Sequence, residues 1–213
     1  MFTGIIQSMG RVVRAERSGG AVRLAVDLGP LADGLQAGDS AAVDGVCLTA
    51  TAIAGSEATL DVGAESLHRT TLGDFRAGRR VNLELPVAAG RPLGGHIVQG
   101  HVDGVGTVSR ITRSEGGCTA AFSVPRELGA QMVVKGSVAV DGVSLTISAL
   151  REAAFEVYVI PYTLSATTLS ERRVGDRVNI ETDIIGKYVA RYLSAMRGQS
   201  GVTGGMLEEH GFK

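Results

Sequence analysis

Several side chains of this 213-residue chain that could attack an electrophile or carry a proton sit in a phrase that occurs twice. Residues 40 to 49 read Ser-Ala-Ala-Val-Asp-Gly-Val-Cys-Leu-Thr and residues 137 to 146 read Ser-Val-Ala-Val-Asp-Gly-Val-Ser-Leu-Thr, identical at eight of ten positions. Where they differ, the thiol of Cys47 answers the hydroxyl of Ser144. Either group can assist a nucleophile when a base adjoins it, although a cysteine in an apolar strand commonly serves as a small hydrophobe. Thr49 and Thr146 fit strands as readily as they fit ligand contacts. A lone strand histidine is more often structural, yet His101 stands where the matching stretch has apolar Ile5, and that asymmetry favours a functional role. His96 lies five residues earlier. On a strand the two rings point to opposite faces, and no cysteine or carboxylate cluster joins them, so no metal site is expected. Rossmann, Walker, zincin and nucleophile-elbow patterns are missing. Gly100, Gly104 and Gly106 precede no helix, so they cradle no phosphate.

The elements that must position these groups are duplicated as well. Asp44 returns as Asp141, an offset of 97, and the same offset carries residues 67–84 onto 164–181 with ten of eighteen residues unchanged. Two matches in one register mean a doubled domain rather than a solenoid, whose period is roughly 20 to 50 residues. The boundaries expected are 1–95 for the first domain, 96–182 for the second, 183–197 for a helix and 198–213 for a loose tail. A first strand is expected over residues 2–13, with counterpart 98–108. Val22, Leu24 and Val26 alternate as a half-buried strand should, Asp44-Gly45 favours a turn with positive φ, and Val81 to Leu85 and Val178 to Glu181 close each copy with strict alternation. About six short strands per repeat predict an all-β fold of two tandem six-stranded antiparallel barrels, because closure removes exposed edges. Open sandwiches are the alternative that periodicity leaves standing. A short helix is expected after Asp33 or Arg126, and residues 87–95, rich in Gly and Pro, read as a linker. Ile185, Tyr188, Val189, Tyr192, Leu193 and Met196 form one apolar stripe on a helix capped by Thr182 or Asp183. That stripe must pack on its own barrel or on copies of itself.

Composition limits the partners. Hydrophobic residues make up 44% and charged residues 20%, enough apolar surface for two cores. The 21 basic and 22 acidic residues are interspersed, which leaves no stripe for nucleic acid and no membrane patch, and the N-terminus lacks a signal-peptide pattern. Cys47 and Cys118 fall in different repeats and make no disulfide framework. The expectation is a cytoplasmic protein with a small-molecule partner.

Met-Phe-Thr-Gly-Ile at the start, Gly-Val-Cys-Leu-Thr at 45–49, Gly-Gly-His-Ile-Val-Gln-Gly-His-Val-Asp at 94–103 and Asp-Gly-Val-Ser-Leu-Thr at 141–146 occur in this order. Together with the duplication and the terminal helix they resemble the riboflavin synthase family of the alpha-chain type, over residues 1 to about 195. The resemblance implies two Greek-key barrels per chain and a homotrimer held by the C-terminal helices, with no metal or cofactor. It implies four-carbon transfer between two molecules of 6,7-dimethyl-8-ribityllumazine in each active site. The products are riboflavin and 5-amino-6-(D-ribitylamino)uracil. Association with lumazine synthase is a further partner of that kind. A non-catalytic antenna protein that holds lumazine or flavin in the same fold is the rival reading.

Carried over by motif, the resemblance implies an N-terminal pocket of Gly4, Ile5, Ile6, Cys47, Leu48, Thr49, Asp61, Val62, Gly63, Ala64, Glu65 and Ser66. The C-terminal pocket takes Gly100, His101, Val102, Ser144, Leu145, Thr146, Ile160, Pro161, Tyr162, Thr163, Leu164 and Ser165. Lys135 would reach a neighbour's ligand and Phe2 would shield the site. Main-chain groups near Gly4 and Gly100, with the Thr49 and Thr146 hydroxyls, would satisfy the pyrimidine edge, and Glu65, Ser66 and Thr163 would take ribityl hydroxyls. The catalytic candidates are His101 for the 7-methyl proton, Ser144 or Cys47 for a nucleophile at C7, Ser40 in support of Cys47, and Thr146.

Overall fold

Short β-branched segments bounded by glycine turns form twelve strands, and the computed structural model describes residues 1–18 and 20–199. The first six are β1 Ser8–Ser18, β2 Ala21–Asp27, β3 Ser40–Val43, β4 Val46–Ala54, β5 Glu57–Val62 and β6 Arg80–Glu84. They close into one antiparallel barrel in the order β1-β2-β5-β4-β3-β6. The second six are β7 Gly104–Ser114, β8 Gly117–Ser123, β9 Ser137–Val140, β10 Val143–Arg151, β11 Ala154–Val159 and β12 Arg177–Thr182, which close in the equivalent order. The barrels hold and the sandwich alternative falls. Register shifts recur at matching places, between Val12 and Arg14 and between Val108 and Arg110, and again in β4 and β10. Such bulges bend a strand and let so small a sheet close. Each lumen is filled, the first by Leu24, Leu60 and Phe75 among others. In the second, the rings of Phe122 and Phe155 stack at 5.2 Å.

Four local expectations are corrected. Residues 2–7 form no regular strand; Phe2 makes a lone bridge with Val98, and β1 starts only at Ser8. Gly4, at φ +75°, breaks the run. A 3-10 turn covers Gly29–Gly34 instead of following Asp33, because Pro30 sets the helical φ at its start. The short helix α1 Ala64–Arg69 was not foreseen, nor was its counterpart α3 Pro161–Ala166; six residues are too few for an apolar period to show. Between them in the chain, α2 Arg126–Gly129 begins at the expected arginine. In β6 the polar residues Asn82 and Glu84 are as buried as Val81 and Leu83, so alternation does not mark one wet face.

Those polar residues face the other barrel. Asn82 accepts from the Thr168 N–H at 2.8 Å and donates to the Asp141 carbonyl at 2.9 Å. Asn179 accepts from the Thr71 N–H at 2.8 Å and donates to the Asp44 carbonyl at 2.8 Å. The two Asp-Gly turns meet between them. A methyl on Gly45 would come within 2.5 Å of the Gly142 N, so the backbones touch and only glycine fits. Asp44 and Asp141, both fully buried at φ 43° and 45°, each accept the N–H of the asparagine on their own barrel. Arg172 pairs with Asp141 at 2.8 Å and reaches Asp44 at 3.6 Å, as does Arg79.

Ile184–Gln199 form α4, entered through Asp183, whose carboxylate accepts the Ile185 N–H at 3.0 Å. Asp183 is therefore the cap, while the Thr182 N–H donates to Asp103. Ile185, Val189 and Leu193 line a cleft against Met132 and Val133 of the second barrel, yet they and Tyr188 and Tyr192 are each more than half exposed, so the chain's own barrel leaves most of the apolar stripe uncovered. No helix among the described residues is long and apolar enough to cross a membrane. The loose tail expected over 198–213 falls, from residue 200 on, outside the described residues.

The seam predicts a pH dependence. Burial, reinforced by the neighbouring Asp141, pushes Asp44 up from 3.8 to about 7. The folded chain then keeps a proton that the unfolded chain releases, so this carboxyl's contribution to stability is fully present below about pH 4 and is lost as pH rises through about 7. Urea midpoints measured across that window should decline in the wild type and stay flatter in Asp44→Asn; equal slopes would refute the assignment.

Candidate functional site

Two seats of like backbone construction lie on the two barrels, each floored by a strip of backbone from the chain segment just ahead of a barrel. In the first, the Cys47 N–H at the start of β4 donates to the Gly100 carbonyl at 2.9 Å. Gly100 has φ +79°, and a methyl there would sit 2.5 Å from Cys47 Cβ and 3.0 Å from the Phe2 ring. A cleft of about 450 Å³ follows, lined by Cys47, His101 and Asp103 on one side and by Glu65, Ser66 and Arg69 of α1 on the other. The main chain supplies a fixed wall, the thiol is half-buried, and His101 is exposed above it.

In the second seat the Ser144 N–H donates to the Gly4 carbonyl at 2.8 Å. Gly4 has φ +75°, and a methyl would sit 2.6 Å from Ser144 Cβ. His96 completes this seat. Its Nδ1 lies 2.7 Å from Ser144 Oγ, its backbone N–H donates to the Thr3 carbonyl, and its Nε2 is buried without a partner. Burial lowers the His96 pKa below the usual imidazole value, with Asp183 opposing in part. The ring is therefore uncharged at neutral pH. In the tautomer with the proton on Nε2, Nδ1 accepts from Ser144 and raises the basicity of its oxygen.

The motif-based pairing of segments is exchanged in the structure. Gly4 and Ile6 belong with Ser144, for Ile6 packs on the second barrel's core; Gly100 and Val102 belong with Cys47, for Val102 packs on the first barrel's core. Leu48, Leu145 and Val62 point into the lumens, so only their backbone can meet a ligand. Thr49 and Thr146 are exposed beside them. Asp61 and Gly63 line a neighbouring cleft of about 370 Å³, where Arg23 holds Asp61 at 2.9 Å; Ala64 begins α1. Ile160, Pro161 and Tyr162 are exposed at the head of α3, Thr163 and Leu164 half-buried, and the Ser165 hydroxyl donates to the Tyr162 carbonyl. Ile5 faces a third cleft of about 470 Å³ beside the linker. Ser40 pairs with Thr49, not with Cys47, which lies opposite Ala42. Lys135 is exposed in the approach to β9, at φ 68°. Phe2 is wholly buried with Val98, Ala42 and Ala139, as a wedge behind Cys47.

Sequence reasoning missed Arg69, Asp103 and above all His96. Its partner Ser144 is 48 residues away, and no spacing rule connects positions that meet only when two barrels dock.

The chain's likeness to known proteins agrees with this arrangement. A family model described as the lumazine binding domain matches it twice, over residues 3–86 and 99–183. A riboflavin synthase of Bacillus subtilis (strain 168) is 40% identical, with the whole of both chains covered. One from Mycobacterium bovis is 45% identical over 91% of this chain and 98% of that protein. Among solved structures, LumP complexed with riboflavin superposes with a TM-score of 0.80 at 27% identity, over 85% of this chain and 99% of that one.

The neutral state of His96 is open to measurement. An NMR titration should place its midpoint below the ordinary imidazole value, and activity should fall on acidification through that midpoint as Ser144 loses its acceptor. A midpoint at or above about 6.5 would refute the assignment.

Proposed function

The chain belongs to the riboflavin synthase family, with two lumazine-binding domains in tandem, and we propose that its two seats hold the two substrate molecules of that reaction. The enzyme takes two molecules of 6,7-dimethyl-8-ribityllumazine and transfers a four-carbon unit from one to the other. Riboflavin and 5-amino-6-(D-ribitylamino)uracil leave. The observation that carries the reading is the pair of backbone-floored seats, alike in frame and different in reactive groups: Cys47 and His101 in one, Ser144 and His96 in the other.

The reaction joins like with like in opposite roles. A doubled seat answers that need, since the same main-chain donors and acceptors can grip the same ring edge twice. Holding two reactants face to face can contribute about 7 to 11 kcal/mol. A general base adds about 10²- to 10⁴-fold. Proximity therefore outweighs any single side chain. His101 is the candidate to take the 7-methyl proton in its seat, and Ser144, held by His96, the candidate to assist attack at C7 in the other. Glu65, Ser66 and Thr163 are the candidates to take ribityl hydroxyls. The domains 1–95 and 96–182 each supply one barrel, and each seat takes its floor from the segment that leads into the other barrel.

In the proposal the pair of seats brought face to face comes from two different chains. The exposed face of Ile185, Tyr188, Val189, Tyr192 and Leu193 on α4 supports a homotrimer assembled through that helix. Lys135 would then reach a neighbouring chain's ligand. A cytoplasmic location and a contact with lumazine synthase complete the proposal. The LumP likeness is the ground for the rival, a chromophore carrier without turnover.

Purified protein given the lumazine should produce riboflavin, read by its absorbance, at half the molar amount of substrate consumed; stable fluorescence of bound lumazine with no product would favour the carrier. Leu193→Asp should convert the assembly to monomer by light scattering and lower turnover by at least about 10²-fold, since small misplacements of reactants cost that much. A fully active monomer would end the shared-site reading.

A further inference from the structure

Two buried carboxylates at matching positions lie outside both seats. Glu84 ends β6 and Glu181 stands near the end of β12, each 3% exposed. Glu84 Oε1 accepts from the N–H and the hydroxyl of Thr3 at 2.6 and 2.7 Å, and its Oε2 accepts from the Gly4 N–H at 3.0 Å. Glu181 Oε1 accepts from the Gln99 N–H at 2.7 Å and its Oε2 from the Gly100 N–H at 3.0 Å. The carbonyls of those same two glycines take the N–H groups of Ser144 and Cys47. Each carboxylate thus belongs to one barrel and clamps the strip that floors the seat on the other.

We propose that Glu84 is a positioning residue for the Ser144 seat and Glu181 a positioning residue for the Cys47 seat, each acting across the seam. The inference rests on the two-seat reading and deepens it. Burying a carboxylate is costly unless several donors meet it, and here two oxygens meet adjacent peptide N–H groups of an extended strip. Burial still raises both pKa values, with the peptide donors opposing it, so the clamps are held at a cost that core packing alone would not require. A strip turning through a positive-φ glycine cannot be fixed by β pairing along its length. A two-oxygen acceptor fixes both N–H groups together and sets where the glycine carbonyl points.

Glutamine matches glutamate in shape but turns one acceptor into a donor that opposes a peptide N–H, so Glu→Gln releases half of each clamp. Cys47 reports on its own seat, being half-buried while Cys118 is buried. Iodoacetamide alkylation of Cys47, followed by peptide mass with increasing riboflavin, measures occupancy of that seat. In the wild type, riboflavin should protect Cys47. Glu181→Gln should raise the half-protecting concentration at least tenfold. Glu84→Gln and Thr3→Val should leave it within twofold while lowering kcat/KM for the lumazine at least tenfold. Should Glu181→Gln not fold, Glu181→Asp, which keeps the charge one methylene further back, should raise it threefold or more. A uniform loss of stability would shift both variants alike. Equal shifts for Glu84→Gln and Glu181→Gln, or no shift for Glu181→Gln, would overturn the clamp assignment with the seats intact. Failure of riboflavin to protect wild-type Cys47 would overturn the seat reading, and the clamps with it.

Discussion

The contact on which the molecule depends is the meeting of two Asp-Gly turns across a pseudo-twofold seam. Backbone touches backbone there, because neither Gly45 nor Gly142 has a side chain to hold the barrels apart. Asn82 and Asn179 tie each barrel to the other's turn and to the chain after the other's short helix. Polar side chains buried at a seam are tolerable only when paired, and these pair reciprocally. That requirement explains why alternating strands bury their polar positions. The exposed ion pair between Arg177 and Asp74, which also spans the barrels, adds little beside this, since water screens it.

From that docking the seats follow. Because the barrels abut through their β3-β4 and β9-β10 turns, the segments preceding each barrel must cross the seam, and each ends against the opposite partner of the repeated phrase. Gly4 reaches Ser144 and Gly100 reaches Cys47. A chain with two independent barrels would have built each seat from one repeat. This one builds both seats from both repeats, so neither can be lost without disturbing the other's frame.

Symmetry is then broken where chemistry or charge requires it. Arg172 occupies the position that Phe75 holds in the first repeat, and its charge partly offsets the cost of burying two carboxyl groups side by side. Arg79 comes from the other side, stacked 4.2 Å over the Phe75 ring. In the seats, thiol faces hydroxyl across the duplication, and an exposed histidine faces an exposed isoleucine. Two identical seats would hold two identical molecules in identical roles. A reaction between like molecules needs the difference as much as the likeness.

The duplication, the twelve strands and the Asp-Gly turns were legible in the sequence, because they rest on local periodicity and on glycine's freedom at positive φ. The chemistry-bearing differences, Cys47 against Ser144 and His101 against Ile5, were legible too, since a repeat supplies its own comparison. The short helices α1 and α3 were not, being too brief to carry a period. Neither was the start of β1, where a run of apolar residues proved to be a wedge and a seat floor. What only the tertiary structure decided was which segment serves which seat and that His96 holds Ser144. Those contacts join residues 48 or more apart through the docking of two barrels, and the energy that selects that docking lies in the seam and not in the segments it brings together.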